Sequence, residues 1–196
     1  MLANKITLSR IPLLFVILLL LYSPATWARQ IAVPAILILI LMDTLDGYLA
    51  RKRGEESILG SVLDIASDRA VEYVLWVTFA QLGLIPLVIP VVILVRGTFV
   101  DAIRSVAPAR GLKPFELLQS PLGRFLVSSP WLRTPYAVIK VMAFALLAVV
   151  HALQNIGNSW GETLYLPAQI AAWVAVAFCL ARGLPVLLEA PRALSE

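Results

Sequence analysis

Long apolar runs separated by short polar stretches make up most of the chain. The runs fall at roughly 8–27, 30–50, 57–81, 84–106, 134–153 and 163–188, each long enough to cross a bilayer as a helix. The expected fold is therefore an all-α integral membrane protein, a six-transmembrane-helix bundle forming one domain over residues 1–196. Residues 1–10, with Lys5 and Arg10, read as a short interfacial helix leading into the first span. Tyr22 and Trp27 are placed at its far interface. Ser57 is expected to cap the third helix. A polar connection over 109–133, rich in Pro, Gly and basic residues, precedes the fifth span.

Composition agrees with a bilayer and removes other classes. The chain is 60% hydrophobic and only 14% charged, with a mean hydropathy of +0.88, against about one quarter charged for a soluble domain. The net charge of +4 invites a nucleic-acid partner, but the placement of the basic residues argues for topology instead. Lys5, Arg10, Arg51, Lys52, Arg53, Arg104, Arg110, Lys113, Arg124, Arg133 and Arg192 fall on one side of the bundle, and Arg29 on the other. That asymmetry puts both termini in the cytoplasm, with a bacterial-type inner membrane as the setting. The lone Cys179 excludes an intrachain disulfide, and the lone His151 reads as an interfacial residue.

Carboxylates change this picture. Asp43 and Asp46 lie inside the second run, three residues apart; Asp64 and Asp68 lie inside the third, four apart. Each pair therefore shares one helix face. An aspartate at mid-membrane costs about 2.5–3.5 kcal/mol, so four cost on the order of 10–14 kcal/mol. Gly47 and Ala50 continue the first stripe and Gly60 the second, so two helices packed there bring the four carboxylates together. Protons or divalent cations must then relieve their repulsion, which is about 4 kcal/mol per pair at 4 Å and an effective dielectric near 20. Hard oxygen ligands suit Mg²⁺ or Mn²⁺, ions that often bridge to substrate phosphates. A divalent-cation transporter is the rival from another class, but no acidic residues continue into the far half of the other spans to make a path.

The stretch D43-x2-D46-G47-x2-A50-R51-x8-G60-x3-D64-x3-D68 resembles the signature of the CDP-alcohol phosphotransferase family at every fixed position. The resemblance implies transfer of a phosphatidyl group from CDP-diacylglycerol to an acceptor alcohol with release of CMP. It implies two divalent ions held by Asp43, Asp46, Asp64 and Asp68, with Asp68 also the general base. Gly47, Ala50, Arg51 and Gly60, together with Asp46, are implied contacts of the CDP-lipid nucleotide. Asn4, Thr7 and Arg10 resemble the N-terminal pattern of phosphatidylglycerophosphate synthase-like members, which adds Thr7 to the nucleotide contacts. It also argues against a signal peptide cleaved at Ala28, which would discard the pattern. The family further implies a homodimer.

Arg96 and Arg104, eight residues apart, lie on nearly one face of the fourth helix and suit a phosphorylated acceptor such as glycerol 3-phosphate. Lys140 and Arg69 join them as candidate acceptor contacts. Arg69 follows the last signature aspartate, where phosphatidylglycerophosphate synthases usually have lysine. Inositol phosphate, a second lipid or an amino-alcohol are the alternative acceptors. Glu72 extends the Gly60–Asp64–Asp68 stripe, with Arg69 or Arg96 as its expected partner.

Overall fold

In a computed structural model, residues 2–53, 57–109 and 120–195 are described, and among them there are helices and short connections but no strand. The helices are α1 (Leu2–Tyr22), α2 (Thr26–Arg53), α3 (Ile58–Gln81), α4 (Val88–Ala109), α5 (Pro121–Ser128), α6 (Pro130–Gln154) and α7 (Ser159–Ser195). Four stretches are long and apolar enough to cross a membrane: Asn4–Tyr22, Thr26–Leu49, Phe125–Gln154 and Ser159–Glu189. The protein is an integral membrane protein. α3 and α4, with 24 and 22 residues, reach about 36 and 33 Å at 1.5 Å per residue. Length does not separate them from the other four; charge does, because α3 carries Asp64, Asp68, Arg69 and Glu72 and α4 carries Arg96, Asp101 and Arg104.

The chain divides into two compact units. The first comprises residues 1–85 and 141–169, so α1, α2 and α3 with the end of α6 and the start of α7. α1 packs on both α2 and α3. Leu14, Ile17 and Leu21 of α1 are buried with Ala32, Ile36 and Leu39 of α2, each set at the three-to-four spacing of one helix face. Trp76 and Phe79 of α3 close on Phe144 of α6, with ring centroids 4.7 and 6.1 Å apart. Phe15, Leu19, Ile38 and Leu41 are exposed, as apolar residues facing lipid must be. His151, near the end of α6, is buried, and its Nε2 donates to the Leu21 carbonyl at 2.9 Å.

The second unit comprises residues 86–140 and 170–196, so α4, α5 and the remaining parts of α6 and α7. Val100, Val127 and Val186 form its buried centre, flanked by Ile103 and Leu187.

Several boundaries differ from expectation for local reasons. The first helix ends at Tyr22 rather than near residue 27, because Pro24 disfavours helix at Ser23 and supplies no N–H. Ser23 is used at the break: its Oγ accepts from Ala25 N (3.2 Å) and its carbonyl accepts from Arg29 Nε (2.8 Å). Trp27 consequently lies in the first turn of α2. Residues 2–10 run unbroken into α1. The 109–133 connection holds a helix, α5, whose N-cap Ser120 accepts from Gly123 N and is itself held by Glu189 of α7. Residues 110–119 of that connection, with Arg110 and Lys113, lie outside the described residues. Ser57 caps α3 as expected, its Oγ accepting from Gly60 N at 3.0 Å.

Candidate active site

α2 and α3 both pack on α1, and aspartates from the two helices come together there. One ligand oxygen each from Asp43, Asp46 and Asp64 lie within 4.8 Å of one another. Two oxygens on opposite sides of an ion bound at 2.0–2.1 Å are about 4.2 Å apart, so this spacing needs little closing to grip Mg²⁺ or a similar ion. Asp46 Oδ1 and Asp64 Oδ1 are buried and have no hydrogen-bond partner among the described residues. Buried carboxylate oxygens left without donors are costly unless a cation meets them. The donor set fits a hard divalent ion, with Asp43, Asp46 and Asp64 as its holders. Asp68 is not one of these three; it is 41% exposed and shares the Arg10 guanidinium with Asp43.

α1 supplies the polar surface that faces the cluster. Asn4, Thr7 and Arg10 recur every three residues on one face of that helix. Thr7 Oγ1 donates to Asp46 Oδ2 at 2.7 Å, both side chains being buried. Arg10, 1% exposed, reaches Asp43 Oδ1 at 2.6 Å with Nη1 and Asp68 Oδ1 at 3.7 Å with Nη2. Asn4 lies against Gly60: a Cβ added there would sit 2.9 Å from Asn4 Oδ1 and 3.0 Å from Ser57 Oγ. Gly60 is thus small because α1 and the α3 cap crowd it. The Arg51 guanidinium lies over Gly47, 3.4 Å from where a Cβ would be. Ala50 is in the same helix, α2, but its side chain is outside the described set.

In the second unit, basic side chains gather around one aromatic ring. Lys140 Nζ and Arg182 Cζ stand 5.8 and 5.6 Å from the centroid of Tyr136. Arg182 also donates to the Val127 carbonyl at 3.3 Å and is within electrostatic reach of Arg96. Arg96 itself lies along Gly183, where its Cγ and Cδ would be 2.7 and 2.9 Å from an added Cβ.

Residues 1–184 match the family described as CDP-alcohol phosphatidyltransferase. The chain belongs to the CDP-alcohol phosphatidyltransferase family. It is therefore a transferase of phospholipid biosynthesis. Among its relatives is CDP-diacylglycerol–glycerol-3-phosphate 3-phosphatidyltransferase of Bacillus subtilis, 28% identical over 93% of this chain and 91% of that protein. The enzyme of the same name from Pseudomonas fluorescens is 32% identical over 52% of this chain and 53% of its own. Phosphatidylinositol phosphate synthase of Mycobacterium marinum is 27% identical over 62% of this chain and 58% of its own.

In this member of the CDP-alcohol phosphatidyltransferase family, three signature residues, Asp43, Asp46 and Asp64, come together in one cluster. The residues beyond the signature are more mixed. Glu72 is buried and takes an ion pair from Arg69 Nη1 at 3.0 Å, which makes Arg69 one of its partners. Arg96 and Lys140 belong to the basic group around Tyr136, whereas Arg104 is about 12 Å further along α4. Arg10 and Arg182 were not among the sequence-derived site residues. Arg10 had a usable signal, the three-residue period it shares with Asn4 and Thr7. Arg182 had none, being a single cation in an apolar run.

Proposed function

We propose that this protein transfers the phosphatidyl group of CDP-diacylglycerol to a hydroxyl of glycerol 3-phosphate and releases CMP. The observation that carries the reading is the α2–α3 cluster, three carboxylates with one oxygen each within 4.8 Å, two of them with a buried oxygen that has no hydrogen-bond partner among the described residues. The relatives from Bacillus subtilis and Pseudomonas fluorescens, named for that acceptor, support it. In the transfer, the acceptor oxygen forms a bond to the phosphorus attached to diacylglycerol. The bond from that phosphorus to the oxygen of CMP breaks, and CMP leaves with the electron pair. Asp68, open to solvent and not one of those three carboxylates, takes the acceptor proton as general base. Asp43, Asp46, Asp64 and Asp68 would hold two Mg²⁺ or Mn²⁺ ions. When bound, those ions neutralise the pyrophosphate and the charge that develops on the attacking and leaving oxygens. Arg51, which lies over Gly47, contacts the nucleotide together with Gly47, Ala50 and Gly60, and Thr7 orients Asp46. Arg96, Arg104, Lys140 and Arg69 are assigned to the acceptor, and Arg182 joins them through its place beside Arg96.

The topology that goes with this reading has six spans, α3 and α4 crossing with their charges turned from lipid. Residues 1–10 lie at the interface, both termini are cytoplasmic, and two chains form a homodimer. CMP release is the direct test. Purified protein with CDP-diacylglycerol is offered glycerol 3-phosphate, inositol phosphate, phosphatidylglycerol or an amino-alcohol, with Mg²⁺, Mn²⁺ or EDTA. Glycerol 3-phosphate alone should give CMP, EDTA should abolish it, and either ion should restore it. Preference for inositol phosphate would favour the reading supported by the Mycobacterium marinum relative and by Arg69 in place of lysine. Turnover that survives thorough chelation would remove the metal reading.

A further inference from the structure

We propose that Arg10 is the resident counter-cation of the acidic cluster, holding Asp43 and Asp68 together and keeping α1 on α2 and α3 before any divalent ion binds. The inference rests on the reading that this cluster takes divalent ions. Arg10 is among the largest fully buried side chains of the protein, at 1% exposure, so water does not balance its charge. Its Nε has no hydrogen-bond partner among the described residues, which leaves the carboxylates to stabilise the guanidinium. The two Nη atoms go to different helices, Nη1 to Asp43 on α2 and Nη2 to Asp68 on α3, while the side chain starts from α1. A planar fork can divide itself between two carboxylates in this way; a lysine ammonium on its flexible stem is less suited to it.

The consequence is an exchange of cations. Without a divalent ion, Arg10 is the positive charge against which the four aspartates can be packed. With Arg10 removed, that task falls to the metal alone, because the crowded carboxylates then repel one another with no cation between them. The protein should then need metal to stay folded, and should bind it more tightly, since a repelling unit charge beside the site is gone. A purely structural arginine, valued for its packing, makes neither prediction.

Melting curves and Mn²⁺ binding separate the two, using full-length protein in detergent or nanodiscs. Arg10→Met keeps an unbranched apolar stem and removes the charge. In EDTA it should melt roughly 2–12 °C below the wild type, less than for a fully buried pair because Asp43 and Asp68 are 39% and 41% exposed. In saturating Mn²⁺ at least half of that gap should close, as expected for a ligand that binds only the folded state. Mn²⁺ titrated by electron paramagnetic resonance should bind the variant about tenfold more tightly, a small share of the Coulomb repulsion removed. The double variant Arg10→Met/Asp43→Asn should regain stability in EDTA, because one of the uncompensated charges is gone. A gap of equal size in EDTA and Mn²⁺ overturns the proposal. So does a double variant no more stable than Arg10→Met, including the case in which neither folds. If the wild type binds no Mn²⁺, the metal reading of the cluster fails first, and this inference with it.

Discussion

Gly183→Ala tests the acceptor assignment by moving Arg96 without deleting its charge. A Cβ at Gly183 would run into Arg96 Nε and lie 2.7 and 2.9 Å from its Cγ and Cδ, so the whole side chain has to swing aside. Two stability effects oppose each other. Alanine in a helix interior gains about 1 kcal/mol over glycine, whereas forcing extra volume into a packed contact costs about 1–3 kcal/mol. The net loss is at most about 2 kcal/mol, or no more than about 8 °C in melting temperature for a chain this long. The effect on function should be larger and one-sided. If Arg96 contacts the acceptor phosphate, its displacement loses a charge-assisted bond of about 1.5–3 kcal/mol, or about 10- to 150-fold in acceptor binding. Initial rates of CMP release, with glycerol 3-phosphate and CDP-diacylglycerol varied in turn, should show the acceptor KM rising by that factor. The KM for CDP-diacylglycerol should stay within about twofold, a free-energy change of less than half a kcal/mol. Equal rises in both KM values, or none in either, would refute the assignment of Arg96 to the acceptor.

Asp68→Asn keeps an oxygen in place but removes the base, and should lower turnover by about 10²- to 10⁴-fold while CDP-lipid binding survives. Asp46→Asn should weaken Mn²⁺ binding as well, so calorimetry of metal and lipid binding separates the two roles; a near-normal rate for Asp68→Asn dismisses it as the base. Thr7→Val removes the buried donor to Asp46 with almost no change of shape. It should lose about 3–12 °C in melting temperature, since a hydrogen bond to a charged group is worth about 1.5–3 kcal/mol, and Thr7→Ser should recover most of it. A Thr7→Val protein as stable as the wild type would mean that its hydroxyl serves the nucleotide alone.

The aspartate cluster was legible along the chain because its logic is local to each helix. Spacings of three and four put each pair on one face, and two short-linked helices leave few ways to arrange those faces. Spacing also shows that Asn4, Thr7 and Arg10 share a face, but not what that face meets. Thr7 meets Asp46 across 39 residues and Arg10 meets Asp43 across 33, distances at which only the packing of α1 against α2 and α3 selects the partner. α5 was hidden for a similar reason: a short helix in a polar stretch is marginal alone, and its cap is held by Glu189, 69 residues away. Arg182 and Gly183 sit in a run whose apolar character predicts only a span. Their significance comes from what lies beside them, the Tyr136 ring for one and the Arg96 side chain for the other. Periodicity fixes which residues share a surface of one helix, whereas the identity of the opposing surface is a property of the packed chain, decided by the burial and charge balance of all its helices together.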